Sequence, residues 1–238
     1  MYMMQKRCKN AVSRIDMRGG QAMKYRNFIF DFGNVIGRFN GSDLLAHFCS
    51  SDEDCALLGS VIFRKWNELD KGSIDYASYA EESVSLLPQR LADTARDFFR
   101  IWPQHVSLID ETLAFINELT AQGIRVYLLS NAPTYFADYA LEHIAVLKKF
   151  SGVVFSAPLK TAKPDPAMYR YLFETYFLDP AECFFIDDLR ENIEAGRALG
   201  MDGIIFDGNI DAVRTATGLD PEKPGLRPLR SENLPDYR

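Results

Sequence analysis

Phe28-Ile29-Phe30-Asp31-Phe32-Gly33-Asn34-Val35-Ile36 decides how this chain is read. The run Phe28 to Phe30 is short and apolar on both faces, as expected of a strand covered on both sides in a parallel sheet. It ends in an acid. An ionised Asp at the tip of a buried strand is costly unless something cationic meets it. A metal ion would meet it, and a carboxylate held in line with phosphorus is a competent nucleophile. Taken alone, Asp31 reads equally well as a turn residue accepting from neighbouring backbone N–H groups.

Working outward, four more brief runs have the same character: Ile124 to Leu129, Val153 to Phe155, Cys183 to Ile186 and Gly203 to Phe206. Helical spacing separates them. Leu108, Ile109, Leu113, Ile116 and Leu119 recur at three and four, and 133–141, 166–177 and 190–199 behave alike, with Pro133 and Pro166 suited to first turns and Gly123 and Gly200 to helix ends. Strand alternating with helix predicts an α/β fold, a doubly wound, Rossmann-like parallel sheet. Residues 42–102 break the alternation with helical periodicity only. They read as a helical cap inserted after the first strand, leaving 24–41 and 103–219 as the catalytic core. Residues 1–23 read as a loosely ordered N-terminal extension, and 220–238, with Pro221, Pro224, Pro228 and Pro235 among charges, as an irregular tail.

In such a sheet, ligands bind beyond the carboxyl ends of the strands, where four polar clusters fall. Asp31 is the first. Ser130-Asn131, with a helix start directly after it, makes an anion cradle or, more blandly, an N-cap. In Lys160-Thr161-Ala162-Lys163-Pro164-Asp165-Pro166, Lys163 is preferred over Lys160 as the partner of a nucleophilic carboxylate and a phosphate, although most lysines are solvated. Asp187-Asp188 is the most specific cluster. Adjacent carboxylates ending a strand need a cation or donors, and Mg²⁺ favours a few carboxylates with water and substrate phosphate. Asp188 as a helix cap would leave Asp187 unexplained. The order Asp, Ser-Asn, Lys, Asp-Asp over successive strand ends is a strong signal where each part alone is weak.

Composition sets the outer limits. The 238 residues carry a net charge of -6, with 47% hydrophobic and 25% charged residues, which suits a globular chain with a sizeable core. No basic stripe points to nucleic acid or an anionic membrane. Cys8, Cys49, Cys55 and Cys183 form no Cys-x-x-Cys pair and read as reduced thiols of a cytoplasmic protein. The first residues lack the continuous apolar core of a signal peptide or membrane span.

These motifs, from about Lys24 to Leu219, resemble the haloacid dehalogenase superfamily, in the subgroup whose cap lies between its first two motifs. Asp-Phe-Gly-Asn-Val-Ile is similar to the opening motif of α-D-glucose-1-phosphate phosphatases. Ile186 to Met201 resembles that group and the N-terminal phosphatase domain of soluble epoxide hydrolase. The resemblance implies an Mg²⁺-dependent phosphatase acting on a small, sugar-phosphate-like phosphomonoester. Asp31 would be the nucleophile that becomes an aspartyl phosphate. Asp31, the Gly33 carbonyl and Asp188 would bind Mg²⁺, with Asp187 in support or in direct contact. Ser130 and Asn131 would hold phosphate oxygens, and Lys163 would balance charge.

One position departs from the superfamily's commonest phosphatase pattern. Two residues after the nucleophile an Asp usually protonates the leaving oxygen; here Gly33 has no side chain. General acid–base help is worth about a hundred- to ten-thousand-fold, so a metal-bound water or a substrate hydroxyl is expected to supply the proton. A metal-independent dehalogenase is the nearest rival, though Gly33 and the paired Asp187-Asp188 both argue against it. A non-catalytic binding protein on the same scaffold is the other. Arg38, Asn40, His47, Trp66 and Lys71 are candidates to face a substrate, Arg38 foremost, whereas Trp66, spaced with Ile62 and Leu69, also reads as core.

Overall fold

The computed structural model describes residues 23–219, so the readings made for 1–22 and 220–238 lie outside the described residues. Five parallel strands form one sheet: β1 (Asn27–Phe30), β2 (Arg125–Ser130), β3 (Gly152–Phe155), β4 (Cys183–Asp187) and β5 (Asp202–Ile205), in the order β3-β2-β1-β4-β5. Each of the five predicted apolar runs is one of these strands. The chain winds outward to β3 on one side and to β5 on the other, so the reversal of order falls between β1 and β4. That places the ends of these two strands at the crevice where such sheets take ligands. The register fixes them side by side, with Phe30 opposite Ile186 and opposite Leu128, so Asp31 and Asp187 leave the sheet as neighbours.

Between β1 and β2 every described element as far as residue 105 is helical. The insert comprises α1 (Gly41–Leu45), α2 (Asp52–Ile62), α3 (Trp66–Lys71), α4 (Tyr76–Ser85) and α5 (Ala92–Ile101), with 3₁₀ segments directly before and after α5. The local sequence explains several starts: Asn40, Ser51 and Asp75 occupy N-caps and accept from backbone N–H groups in the first turns of α1, α2 and α4. The two chain segments joining insert to core run together, with Arg38 N–H donating to the Ser107 carbonyl (2.8 Å) and Ile109 N–H to the Ile36 carbonyl (2.9 Å). Apolar packing is continuous across the junction, since Leu58, Leu69, Phe98 and Trp102 belong to the same buried cluster as Phe30, Val35 and Phe136.

The remaining helices cover the sheet: α6 (Asp110–Ala121), α7 (Thr134–His143), α8 (Ser156–Leu159), α9 (Pro166–Tyr176), α10 (Arg190–Ala198) and α11 (Ile210–Thr217). Pro166 takes the first turn of α9 behind the N-cap Asp165, as expected. Pro133 instead sits one position earlier, as the extended N-cap of α7, because its fixed φ suits either place. Gly123 and Gly200 adopt φ of +77° and +89°. The reading of four reduced thiols is corrected: Cys49 and Cys55 are joined by a disulfide with Cα atoms 5.7 Å apart, which the turn between α1 and α2 brings together, while Cys183 is free and buried. Among the described residues no helix is long and apolar enough to cross a membrane.

Candidate active site

Asp31, Lys163 and Asp187 meet in a buried cluster. Lys163 Nζ stands 2.8 Å from Asp31 Oδ1 and 2.7 Å from Asp187 Oδ2, with its side chain 1% exposed. Burial works against an isolated ammonium, but the charges of Asp31 and Asp187 outweigh it and hold the Lys163 pKa above its ordinary value. Asp31 is pushed up to about 6, first by burial and further by Asp187, against the pull of Lys163. Its Oδ1 also accepts from the Phe32 N–H at 2.7 Å. The turn role weighed for Asp31 is therefore real, and it leaves Oδ2 for other chemistry.

The two C-terminal acids differ in kind. Asp187 is fully buried, and both its oxygens are engaged: Oδ1 accepts from Leu189 N–H and Asn192 Nδ2, and Oδ2 from Lys163 and, at 3.1 Å, Asn192. It anchors the lysine. Asp188 is half-buried and accepts from Asn34 Nδ2 at 2.9 Å. It is not a helix cap, since Leu189 takes the N-cap of α10. One carboxylate oxygen each from Asp31, Asp187 and Asp188 lie within 4.8 Å of one another. Hard oxygen donors at that spacing, with a neighbouring lysine to limit their repulsion, suit a magnesium ion; Asp31 and Asp188 have the free capacity to ligate it.

The structure separates Ser130 from Asn131. Ser130, 2% exposed at the end of β2, lines the cavity above Asp31. Asn131 also reaches that cavity, but its side chain clamps the backbone of Lys163, donating to the carbonyl (2.9 Å) and accepting from the N–H (2.8 Å). It thereby sets where the lysine enters the site. Neither residue caps α7. Gly33 lines the cavity, and a Cβ added there would find Phe39 Cβ at 4.0 Å. Arg38 does not join the group. It is exposed and lines a separate depression with Asn40, His47 and His105, because the chain turns away after the Gly37 bridge to Leu108.

The cavity over Asp31 has a volume of about 90 Å³, with walls of Phe32, Phe39, Trp66, Trp102 and Phe136. These rings support one another, with Trp66 and Trp102 centroids 5.2 Å apart and Trp102 stacked on Phe136 at 5.2 Å. Trp66 thus serves both readings, packed on one side and facing the cavity on the other. The insert contributes one more group that sequence reasoning missed, Asp70 of α3. Its Oδ1 is out of solvent contact and has no hydrogen-bond partner among the described residues, although the residue as a whole is only half-buried. Burial, with a smaller contribution from the charge of Asp31, pushes its pKa up to about 7.

Known proteins share this fold. Residues 25–200 match the haloacid dehalogenase-like hydrolase family. The chain is 25% identical over 184 residues to sesquiterpene phosphatase astK of Aspergillus oryzae, covering 76% of this chain and 89% of that protein. It is 28% identical over 132 residues to phosphoglycolate phosphatase of Escherichia coli K12, covering 56% of this chain and 51% of that enzyme, so it spans about half the length of that relative. Among solved structures, the HAD family enzyme bt-2542 of Bacteroides thetaiotaomicron, in complex with magnesium and inorganic phosphate, superimposes with TM-score 0.58 at 22% identity, covering 78% of this chain and 96% of that one. L-2-haloacid dehalogenase of Xanthobacter autotrophicus gives TM-score 0.55 at 15% identity over 75% of this chain and 76% of that one. At these identities the two structures speak to the fold alone.

Proposed function

Because the chain belongs to the haloacid dehalogenase-like hydrolases, we propose that it is an Mg²⁺-dependent phosphatase that hydrolyses a small phosphomonoester through an aspartyl phosphate on Asp31. The observation that carries this reading is the convergence of Asp31, Asp187 and Asp188 to within 4.8 Å beside Lys163. A carbon–halogen hydrolase has no use for three carboxylates at one point. Phosphoryl transfer does, since it depends on positioning and charge neutralisation more than on covalent help from the protein.

The contacts suggest a role for each group. Asp31 Oδ2 attacks phosphorus while Oδ1 stays bound to Lys163 and the Phe32 N–H, which fixes the carboxylate plane. Ser130 donates to a phosphoryl oxygen from the floor of the cavity. Lys163 offsets the charge of Asp31 and of the transferring group, and is held to that task by Asp187 and the Asn131 clamp. Asp31, Asp188 and the Gly33 carbonyl would hold Mg²⁺, which supplies Lewis-acid neutralisation of the phosphoryl oxygens. The aromatic wall accepts a leaving group with an apolar face, the C–H face of a sugar ring among them. A cavity of about 90 Å³ is below the roughly 300–1,000 Å³ of common ligand sites, so the insert acts as a cap that opens to load substrate and closes to exclude water.

The test is turnover of a panel of phosphomonoesters with Mg²⁺ by the wild type and by Asp31→Asn. Wild-type turnover with loss in the variant is the expected result. Activity that survives in Asp31→Asn, or in excess EDTA, would sink the reading.

A further inference from the structure

We propose that Asp70, carried by the helical insert, is the general acid and base that Gly33 cannot supply, an inference that rests on the phosphatase reading. Three observations lead to it. Asp70 and Asp31 line one cavity together with Ser130 and Asn131, so a phosphoryl group on Asp31 places its leaving oxygen on the side of the insert. The Oδ1 atom of Asp70 is buried without a partner among the described residues, whereas the other acids near the nucleophile are engaged, Asp187 by Lys163, Leu189 and Asn192 and Asp188 by Asn34. A buried carboxyl oxygen left without a partner costs stability, and such costs collect where chemistry needs a free group. The third observation concerns placement. Ser156 Oγ bonds the main-chain carbonyl of Asp70, and Lys160 Nζ bonds that of Gly72.

Gly72 explains how the insert comes so close. With φ +68°, it allows an approach at which a Cβ would lie 2.2 Å from the Ala157 carbonyl oxygen. The end of α3 is therefore seated directly on α8, and Asp70 is held relative to the core by main-chain contacts rather than by its own side chain. Position in the helix also favours the acid form. Asp70 is the penultimate residue of α3, where the carbonyl ends of the helix disfavour a negative charge, and the Asp31 carboxylate adds to this.

The steps balance without another reagent. As Asp31 Oδ2 forms its bond to phosphorus, the ester P–O bond breaks and Asp70 gives its proton to the departing oxygen, releasing the alcohol. Water then attacks phosphorus and the bond to Asp31 breaks. The ionised Asp70 takes the proton from that water, which returns both carboxyl groups to their starting states and releases inorganic phosphate.

Leaving-group dependence tests this in pre-steady-state experiments with Mg²⁺ and substrate in excess over enzyme, using 4-nitrophenyl phosphate and benzyl phosphate as probes. A nitrophenolate departs without a proton; an alkoxide does not. In Asp70→Asn and Asp70→Ser, 4-nitrophenolate should appear at the wild-type rate as a burst, with slowed turnover afterwards because water activation is lost. Benzyl alcohol release should fall about 10²- to 10⁴-fold. The retained burst doubles as proof that the variants fold. Equal losses on both esters, or no loss on either, overturn the role of Asp70. If Asp31→Asn still turns over 4-nitrophenyl phosphate, the phosphatase reading itself fails and this proposal with it.

Discussion

Lys163 Nζ lies 2.8 Å from Asp31 Oδ1, and the same ammonium reaches Asp187 on its other side at 2.7 Å. One positive charge thus serves two buried carboxylates. Removing one partner of such a group costs about 3–5 kcal/mol, because it strands charge in the interior. Lys163→Met, which keeps most of the side-chain volume, should lose stability of that order at pH 7, read as a fall in denaturant midpoint. The loss should shrink toward pH 5, where Asp31, whose pKa is pushed up to about 6 by burial, already carries a proton. A change of a few tenths of a kcal/mol at pH 7 would mean the three groups are not electrostatically linked.

Magnesium should stabilise the folded chain through the same acids. A ligand at a hundred times its dissociation constant contributes about 2.7 kcal/mol, which corresponds to a rise in Tm of several degrees for a domain of this size. Asp188→Asn should blunt the rise, since it removes the acid with most spare capacity, and excess EDTA should abolish turnover. If thermal shifts in Mg²⁺ are the same for the wild type and Asp188→Asn, the ion does not sit at this cluster.

Much of this arrangement is legible in the sequence because parallel strands turn order along the chain into proximity. Asp31, Ser130 and Asp187 each close an apolar run, and Lys163 precedes a Pro-marked helix, so the sheet gathers all four at one edge. Asp70 carries no such mark. It stands in Trp-Asn-Glu-Leu-Asp-Lys, an ordinary amphipathic turn, and reaches the site only because Gly72 lets α3 rest on Ala157. That contact spans distant parts of the chain and has no periodicity to betray it. Arg38 misleads for the opposite reason: it is near Asp31 in sequence but not in the site, since the bridge from Gly37 to Leu108 leads the chain away. The Cys49–Cys55 pair depends on a local turn that spacing alone does not specify.

Buried acids also set how stability depends on pH in EDTA. The folded Asp70 keeps its proton up to about pH 7, while in the unfolded chain it ionises at its ordinary 3.8. Between those values the folded state binds more protons, so stability falls as pH rises and levels off above 7. At about 1.36 kcal/mol per decade of pH the full effect is roughly 4 kcal/mol. Asp70→Asn should therefore be more stable than the wild type at pH 8, with the advantage fading toward pH 4, as chemical denaturation at each pH would read. A constant difference across that range would mean that Asp70 ionises normally in the folded chain.

Gly33 offers a converse test of the missing acid. Its φ is not in the left-handed region, and the nearest heavy atom to an added Cβ is Phe39 Cβ at 4.0 Å, so a side chain fits without moving the backbone. Placed in the Asp70→Asn background, Gly33→Asp puts a carboxyl on another wall of the same cavity and should restore a measurable part of benzyl phosphate turnover. In the wild type it should add little, because Asp70 already supplies the proton. A large gain in the wild type would instead show that proton delivery limits the natural enzyme and that Asp70 does not perform it.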